Sequence, residues 1–150
     1  MRGAMLKITI FAAVLLALSC NFGDMRAIRM SLDGDEISAG GAQIAISQVG
    51  AESYNVFLHT KRPEIQITWE AKGRDFENWR GEKFRVKKFR AVRPDGTISF
   101  EGADVGVIID ITDIEGAFVT GRFSGWVGIG AGSHRVSNGT FRAPASFWRR

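Results

Sequence analysis

Val105-Gly-Val-Ile-Ile-Asp-Ile-Thr112 holds the plainest pattern in the chain. Val105, Val107, Ile109 and Ile111 recur at every second position, and Asp104, Asp110 and Thr112 fall on the other face. A period of two marks a half-buried strand, apolar on one side and polar on the other. Working outward, the same period returns. Ile28, Met30 and Leu32 alternate with Arg29 and Ser31 ahead of Asp33-Gly34, a tight-turn pair. Ile44 and Ile46 make a short run, Tyr54, Val56 and Leu58 a third, and Ile65, Ile67 and Trp69 a fourth. In Lys83 to Arg93 the alternation of Phe84 and Val86 breaks at Lys87-Lys88 before Phe89 and Ala91. A β-bulge at the lysine pair restores Phe89 to the inner face. Pro94-Asp95-Gly96 reads as a turn into Ile98 and Phe100. Phe118 to Gly130 is a glycine-punctuated strand, and Val136, an Asn138-Gly139 turn pair and Thr140-Phe141 close the series.

These runs predict about nine strands, with turn signals between them and no repeat or linker. The fold class that follows is all-β: one antiparallel β-sandwich or partly closed barrel, preceded by an N-terminal signal helix. The stretch Ala71 to Glu82 is polar and glycine-flanked and reads as a long loop carrying Phe76 and Trp79.

The N-terminus has a different character. Arg2 and Lys7 precede an apolar run from Ile8 to Leu18, then Ser19 and Cys20, the chain's single cysteine. A membrane-spanning helix needs roughly 20 apolar residues, whereas this run has the length of a signal-peptide core. Leu16-Ala17-Leu18-Ser19-Cys20 resembles a bacterial lipobox, although Ala17 stands where leucine is usual and Leu18 where a small residue is usual. Ala17 and Ser19 also fit ordinary signal cleavage, which leaves Cys20 as an unmodified N-terminal thiol. The expected organisation is residues 1–19 as signal peptide, 20–25 as a short tether, 26–146 as the β-sandwich domain and 147–150 as a tail.

Gly116-Ala-Phe-Val-Thr-Gly-Arg-Phe-Ser-Gly125 and Val136-Ser-Asn-Gly-Thr-Phe-Arg142, with the signal cysteine, resemble small uncharacterised bacterial β-sandwich lipoproteins. In those a V-x-G-x-F-S-G strand is followed by a V-x-N-G-x-F strand. The resemblance covers the signal and about forty residues of the domain. It implies a sandwich lipoprotein whose strand glycines let aromatics on a neighbouring strand cover the backbone, and it supplies no catalytic residues.

Charge is unevenly spread. The whole chain carries +4. Lys61 to Arg93 is strongly basic and Pro94 to Gly132 strongly acidic. Such polarity can orient a domain at an anionic surface, or it can be strand faces that neutralise one another. No helix-turn-helix, zinc-finger or RNP pattern is present, so nucleic acid is not an expected partner.

Few residues point to chemistry. His59 and His134 sit beside Lys61 and Arg62 and beside Arg135, which disfavours a bound cation. Asp33-Gly34-Asp35-Glu36 lacks the ligand run of a calcium loop. Asp110, Asp113 and Glu115 fall on both faces of a strand unless a bulge intervenes. Gly128-x-Gly130-x-Gly132 follows a strand with no helix after it, which is not a dinucleotide cradle. No catalytic residue, metal or cofactor is assigned. The partner-binding candidates are Arg74, Phe76, Trp79 and Arg80 in the loop, with Lys87 and Lys88 on the basic strand; aromatics beside arginines are good recognition elements. Cys20 is the lipidation candidate. The expected function is an exported, lipid-anchored envelope protein, non-enzymatic, held at the membrane by its N-terminal lipid and contacting an envelope protein or glycan. The alternative is a carrier of a small hydrophobic ligand, with Trp69, Val107, Ile109 and Trp126 lining a barrel interior.

Overall fold

A computed structural model describes residues 26–72 and 76–148. The expected signal and tether, with Cys20, lie outside the described residues, as does Arg74. Ten strands follow one another: β1 Ala27–Leu32, β2 Asp35–Gly40, β3 Gln43–Gly50, β4 Ser53–Lys61, β5 Glu64–Lys72, β6 Lys83–Arg93, β7 Gly96–Glu101, β8 Val105–Glu115, β9 Phe118–Val127 and β10 His134–Trp148. Among the described residues the only helical elements are short 3-10 turns, including Phe76–Trp79. None is long and apolar enough to cross a membrane.

Seven strands close a barrel in the order β3, β4, β5, β6, β8, β9, β10 and back to β3. The other three lie outside the ring: β1 pairs with β10, β2 with β1, and β7 with β6. The expected all-β class is therefore found, as a closed barrel. One pair departs from an antiparallel design, because Ala145 to Trp148 run parallel to Ile44 to Ser47 and seal the ring.

Two strands make closure possible by changing partners along their length. In β6, Lys83 to Arg85 pair with β8, whereas Lys88 to Arg93 pair with β7. In β10, the segment to Pro144 pairs with β9 and part of it with β1, after which the strand moves to β3. The bulge expected in β6 is present: Thr68 faces Lys88 and Trp69 faces Val86, leaving Lys87 as the extra residue. Val86 and Phe89 are both fully buried as a result.

Three details differ from the sequence expectation. The first is β2, Asp-Glu-Ile-Ser-Ala-Gly, which is an additional strand. It lies at the outer edge and buries only Ala39, so it needs no apolar alternation. The second is Asn138-Gly139, which is not a turn. It is a bulge within β10, with Asn138 at φ 51° and register shifts against both β9 and β1. The third is that β10 runs on to Trp148, into the segment expected as a tail. The turns at Asp33-Gly34 and Pro94-Asp95 are as expected: each links a hairpin through two residues, pairing Leu32 with Asp35 and Arg93 with Gly96.

The core is apolar and filled. Trp69, Trp79 and Phe89 are its largest fully buried side chains, among isoleucines and leucines from most strands. Thr60 is the buried polar residue among those described, and its hydroxyl is satisfied. It donates to the Pro63 carbonyl at 2.7 Å and accepts from the Ile65 amide at 3.1 Å. Across β9 and β10 the core wall has a reciprocal arrangement: Gly121 pairs with Phe141 and Gly139 with Phe123. A Cβ on Gly121 would lie 2.5 Å from the Phe141 ring, and one on Gly139 would lie 2.4 Å from the Phe123 carbonyl oxygen. Both sites therefore require glycine.

Candidate functional site

At the end of the barrel where β4 begins and β10 finishes, aromatic rings form a continuous column. Phe147, half exposed as the penultimate residue of β10, meets Phe76 edge-on at 5.6 Å between centroids. Phe76 meets Trp79 at 5.2 Å, Trp79 meets Phe84 at 5.8 Å, and Phe84 stacks on Trp69 at 6.5 Å. Tyr54 flanks Trp79 at 6.5 Å. Edge-on and offset contacts of this kind each contribute about 0.5–1.5 kcal/mol beyond burial. The column runs from solvent to the interior, reaching fully buried Trp69, which in turn meets Phe141 of the β9–β10 wall at 6.4 Å. The Trp69 indole Nε1 has no hydrogen-bond partner among the described residues. A buried donor without an acceptor costs about 1–3 kcal/mol, so this one is an unmet demand within the mouth.

The 3-10 turn Phe76–Trp79 lies across this mouth as a plug. Its C-terminal flank is bound to β8 by the Gly81 amide donating to Ile111 O at 2.7 Å and the Ile111 amide donating to Glu82 O at 3.0 Å. Arg80 adds an ion pair to Asp113 at 2.6 Å and donates to the Ile114 carbonyl at 3.0 Å.

The residues expected to bind a partner are thus split between two places. Phe76, Trp79 and Arg80 meet at the mouth. Trp79 is only 1% exposed, so its ring fills the barrel instead of facing a partner. The polar character of its loop concealed this, because the loop folds back to cap the barrel. Arg80 is committed to β8. Lys87 and Lys88 lie on the outer wall, where Lys87 pairs with Glu70 and Lys88 with Glu101 at 3.2 Å. Arg90 pairs with Glu64 at 3.1 Å and Arg122 with Asp110 at 3.5 Å, so most of these pairs form within one stretch, and Lys88–Glu101 joins the basic stretch to the acidic one. Glu70 is held below the usual carboxylate range by hydrogen bonds from Lys87 and then Lys72.

Trp126 also departs from expectation. It lies outside the barrel, 48% exposed, over Gly106 on the neighbouring strand. Trp69, Val107 and Ile109 do line the interior. Tyr54 and Phe84, which the sequence marks only as strand positions, and Phe147, which falls in the expected tail, also belong to the mouth.

The acidic candidates do not assemble. A bulge at Thr112 intervenes, since Ile111 faces Gly121 and Asp113 faces Thr120, yet Asp110 and Asp113 turn to different arginines. Among the described residues no three His, Cys, Asp or Glu side chains group to hold a metal. His134 is not governed by its arginine neighbour: its Nδ1 lies 2.6 Å from the Asp33 carboxylate. That hydrogen bond holds Asp33 below the ordinary carboxylate value, helped by the Arg135 amide and the Arg93 guanidinium.

An open cleft of about 530 Å³ between β2 and the β6–β7 turn is lined by Asp35, Ser38, Arg93 and Asp95 among others. It is separate from the mouth. Compared with protein-family models, with curated proteins and with solved structures, the chain matches none.

Proposed function

We propose that this chain is a binding module that takes a small apolar ligand at the aromatic mouth of its barrel. The observation that carries the reading is the ring column from exposed Phe147 to Trp69, with its unmet indole N–H. A ring of about eight strands has an interior that side chains fill or that holds one small ligand. Here the Trp79 indole occupies the space a ligand ring would take. A ligand enters when the Phe76–Trp79 turn gives way, stacks against Phe84 and offers Trp69 an acceptor oxygen. Its class is therefore a lipid or isoprenoid with a carbonyl or hydroxyl group. The ion pairs that engage Lys87 and Lys88 support this reading over recognition through those two side chains.

The test is a tryptophan fluorescence titration with a panel of fatty acids, isoprenoid alcohols and quinones. A saturable shift that weakens in Trp69→Phe is the expected result. A flat response across the panel, or one that Trp69→Phe leaves intact, defeats the reading.

The run Ile8 to Leu18 followed by Cys20 supports an exported chain tethered by acyl groups on that cysteine. Several acyl chains hold firmly where one binds only weakly. Intact mass spectrometry of protein from its native membrane decides it: a mass beginning at acylated Cys20 is expected, and an unmodified Cys20 in the soluble fraction rejects the tether.

A further inference from the structure

Trp148 is the most exposed of the described tryptophans at 68%, and it does not stand alone. Phe147 is 53% exposed and Val49 55%. The parallel register pairs Trp148 with Ser47 on β3, and Val49 lies just beyond on that strand. Three large apolar side chains thus lie at the ends of two adjoining strands beside the mouth, Phe147 turned to the inner face toward Phe76 and Trp148 to the outer face. Of the other exposed apolar groups, Phe57 lies midway along β4, and Ile108, Trp126 and Ile129 belong to the opposite half, where β9 ends and β10 begins.

The position of the chain's entry says what covers the first group. β1 is antiparallel to β10, so the chain enters Ala27 from the side on which β10 finishes. Ala27 is level with Arg142, and Trp148 lies further along β10 by about 20 Å at the rise of a strand. The stretch from Arg26 back to Cys20 reaches at most about 20 Å. A membrane-held Cys20 therefore brings the Trp148 end, not the Trp126 end, within reach of the bilayer. Tryptophan is the side chain that favours the headgroup level of a membrane. In the sequence Arg149 and Arg150 follow Trp148 directly, and cations there are attracted to anionic headgroups.

We infer that Val49, Phe147 and Trp148 form a membrane-docking surface that seats this end of the barrel on a phospholipid bilayer. The inference does not depend on the mouth binding a ligand, although docking there would open the mouth toward the lipid phase.

The experiment uses the full chain with vesicles of phosphatidylethanolamine and phosphatidylglycerol, part of the lipid carrying bromine near the headgroup. Bromine quenches tryptophan on contact, so the readout is position. The expected result is quenching of the wild type that is mostly lost in Trp148→Phe and kept in Trp126→Phe; both residues are exposed, so both variants fold. Equal quenching in Trp148→Phe and wild type, or loss in Trp126→Phe, overturns the inference. So does a sedimenting dimer without vesicles in which Trp148 is shielded from iodide, because the surface then belongs to a second copy. Ligand titration without vesicles remains a separate measurement, so failure here and failure of the mouth are told apart.

Discussion

Along β9 and β10 aromatic rings lie on glycines, whereas at the mouth they lie on one another. In the first region Phe123 and Phe141 are each held against a backbone that has no side chain to move aside. In the second, Phe76, Trp79, Phe84 and Phe147 meet one another in sequence, and the outermost is half in water. The difference separates a wall from a door. A ring on glycine has one place to be, while a column of rings can exchange one member for another of similar shape.

The largest expected effect comes from removing the plug. Trp79→Ala should lower stability by about 3–5 kcal/mol, as large-to-small changes of buried aromatics do, read as a fall in the urea midpoint. If the mouth is a site, an apolar ligand restores part of that loss; stability that the ligand leaves unchanged would make Trp79 an ordinary core residue. Next comes the wall. Gly121→Ala and Gly139→Ala should each cost about 1–3 kcal/mol through overpacking, with no recovery on adding ligand. Recovery there would erase the distinction between the two regions.

Asp33 tests how the far end of β10 is latched. Its carboxylate accepts from the Arg135 amide at 2.9 Å and faces His134 and Arg93. Its folded pKa is depressed, so the folded state binds fewer protons, and the stabilisation is present above the ordinary value of 3.8 and lost as pH falls through the folded pKa. Asp33→Asn, which tolerates the left-handed turn, should flatten that acid-side decline in a series of urea melts between neutral pH and pH 3. An unchanged slope would assign the acid sensitivity elsewhere. The smallest effects belong to the outer surface. Gly106→Ala would place its Cβ 2.3 Å from the Trp126 indole, but that ring is half exposed and can swing away. A change below about 0.5 kcal/mol is expected, against the larger cost where the covering ring is locked. Lys87→Ala should likewise change stability by less than about 1 kcal/mol.

Strand periodicity made most of the wall readable in the chain: the β8 alternation and the β6 bulge lie where their residues predict, whereas Asn138-Gly139 reads as a turn and is a bulge. Closure was not readable, because it depends on β6 and β10 each changing partner midway. No local pattern announces such a change. The edge strand β2 was hidden for the opposite reason, having almost nothing to bury. At the mouth, Phe76 and Trp79 stood out as aromatics in a polar loop. Their direction did not, since a loop that folds inward has the composition of one that faces water. Glu70 and Glu101, the partners of Lys87 and Lys88, come from other strands, so a basic run looked unopposed.

The fifteen residues of β10 serve three neighbours. The pairing that seals the ring joins Ala145 to Ile44, with most of the chain between them. Contacts this remote in sequence make folding slow, and here they also set its order. Hairpins β3–β4–β5 and β8–β9 can form while the chain is still arriving, but no ring exists until the last strand is laid between β3 and β9. A chain that stops short of Ala145 keeps two open sheet edges, which are templates for aggregation. The barrel is thus competent only once β10 is in place, and the laying of that strand is the step on which proofreading by a chaperone or loss to a protease would act.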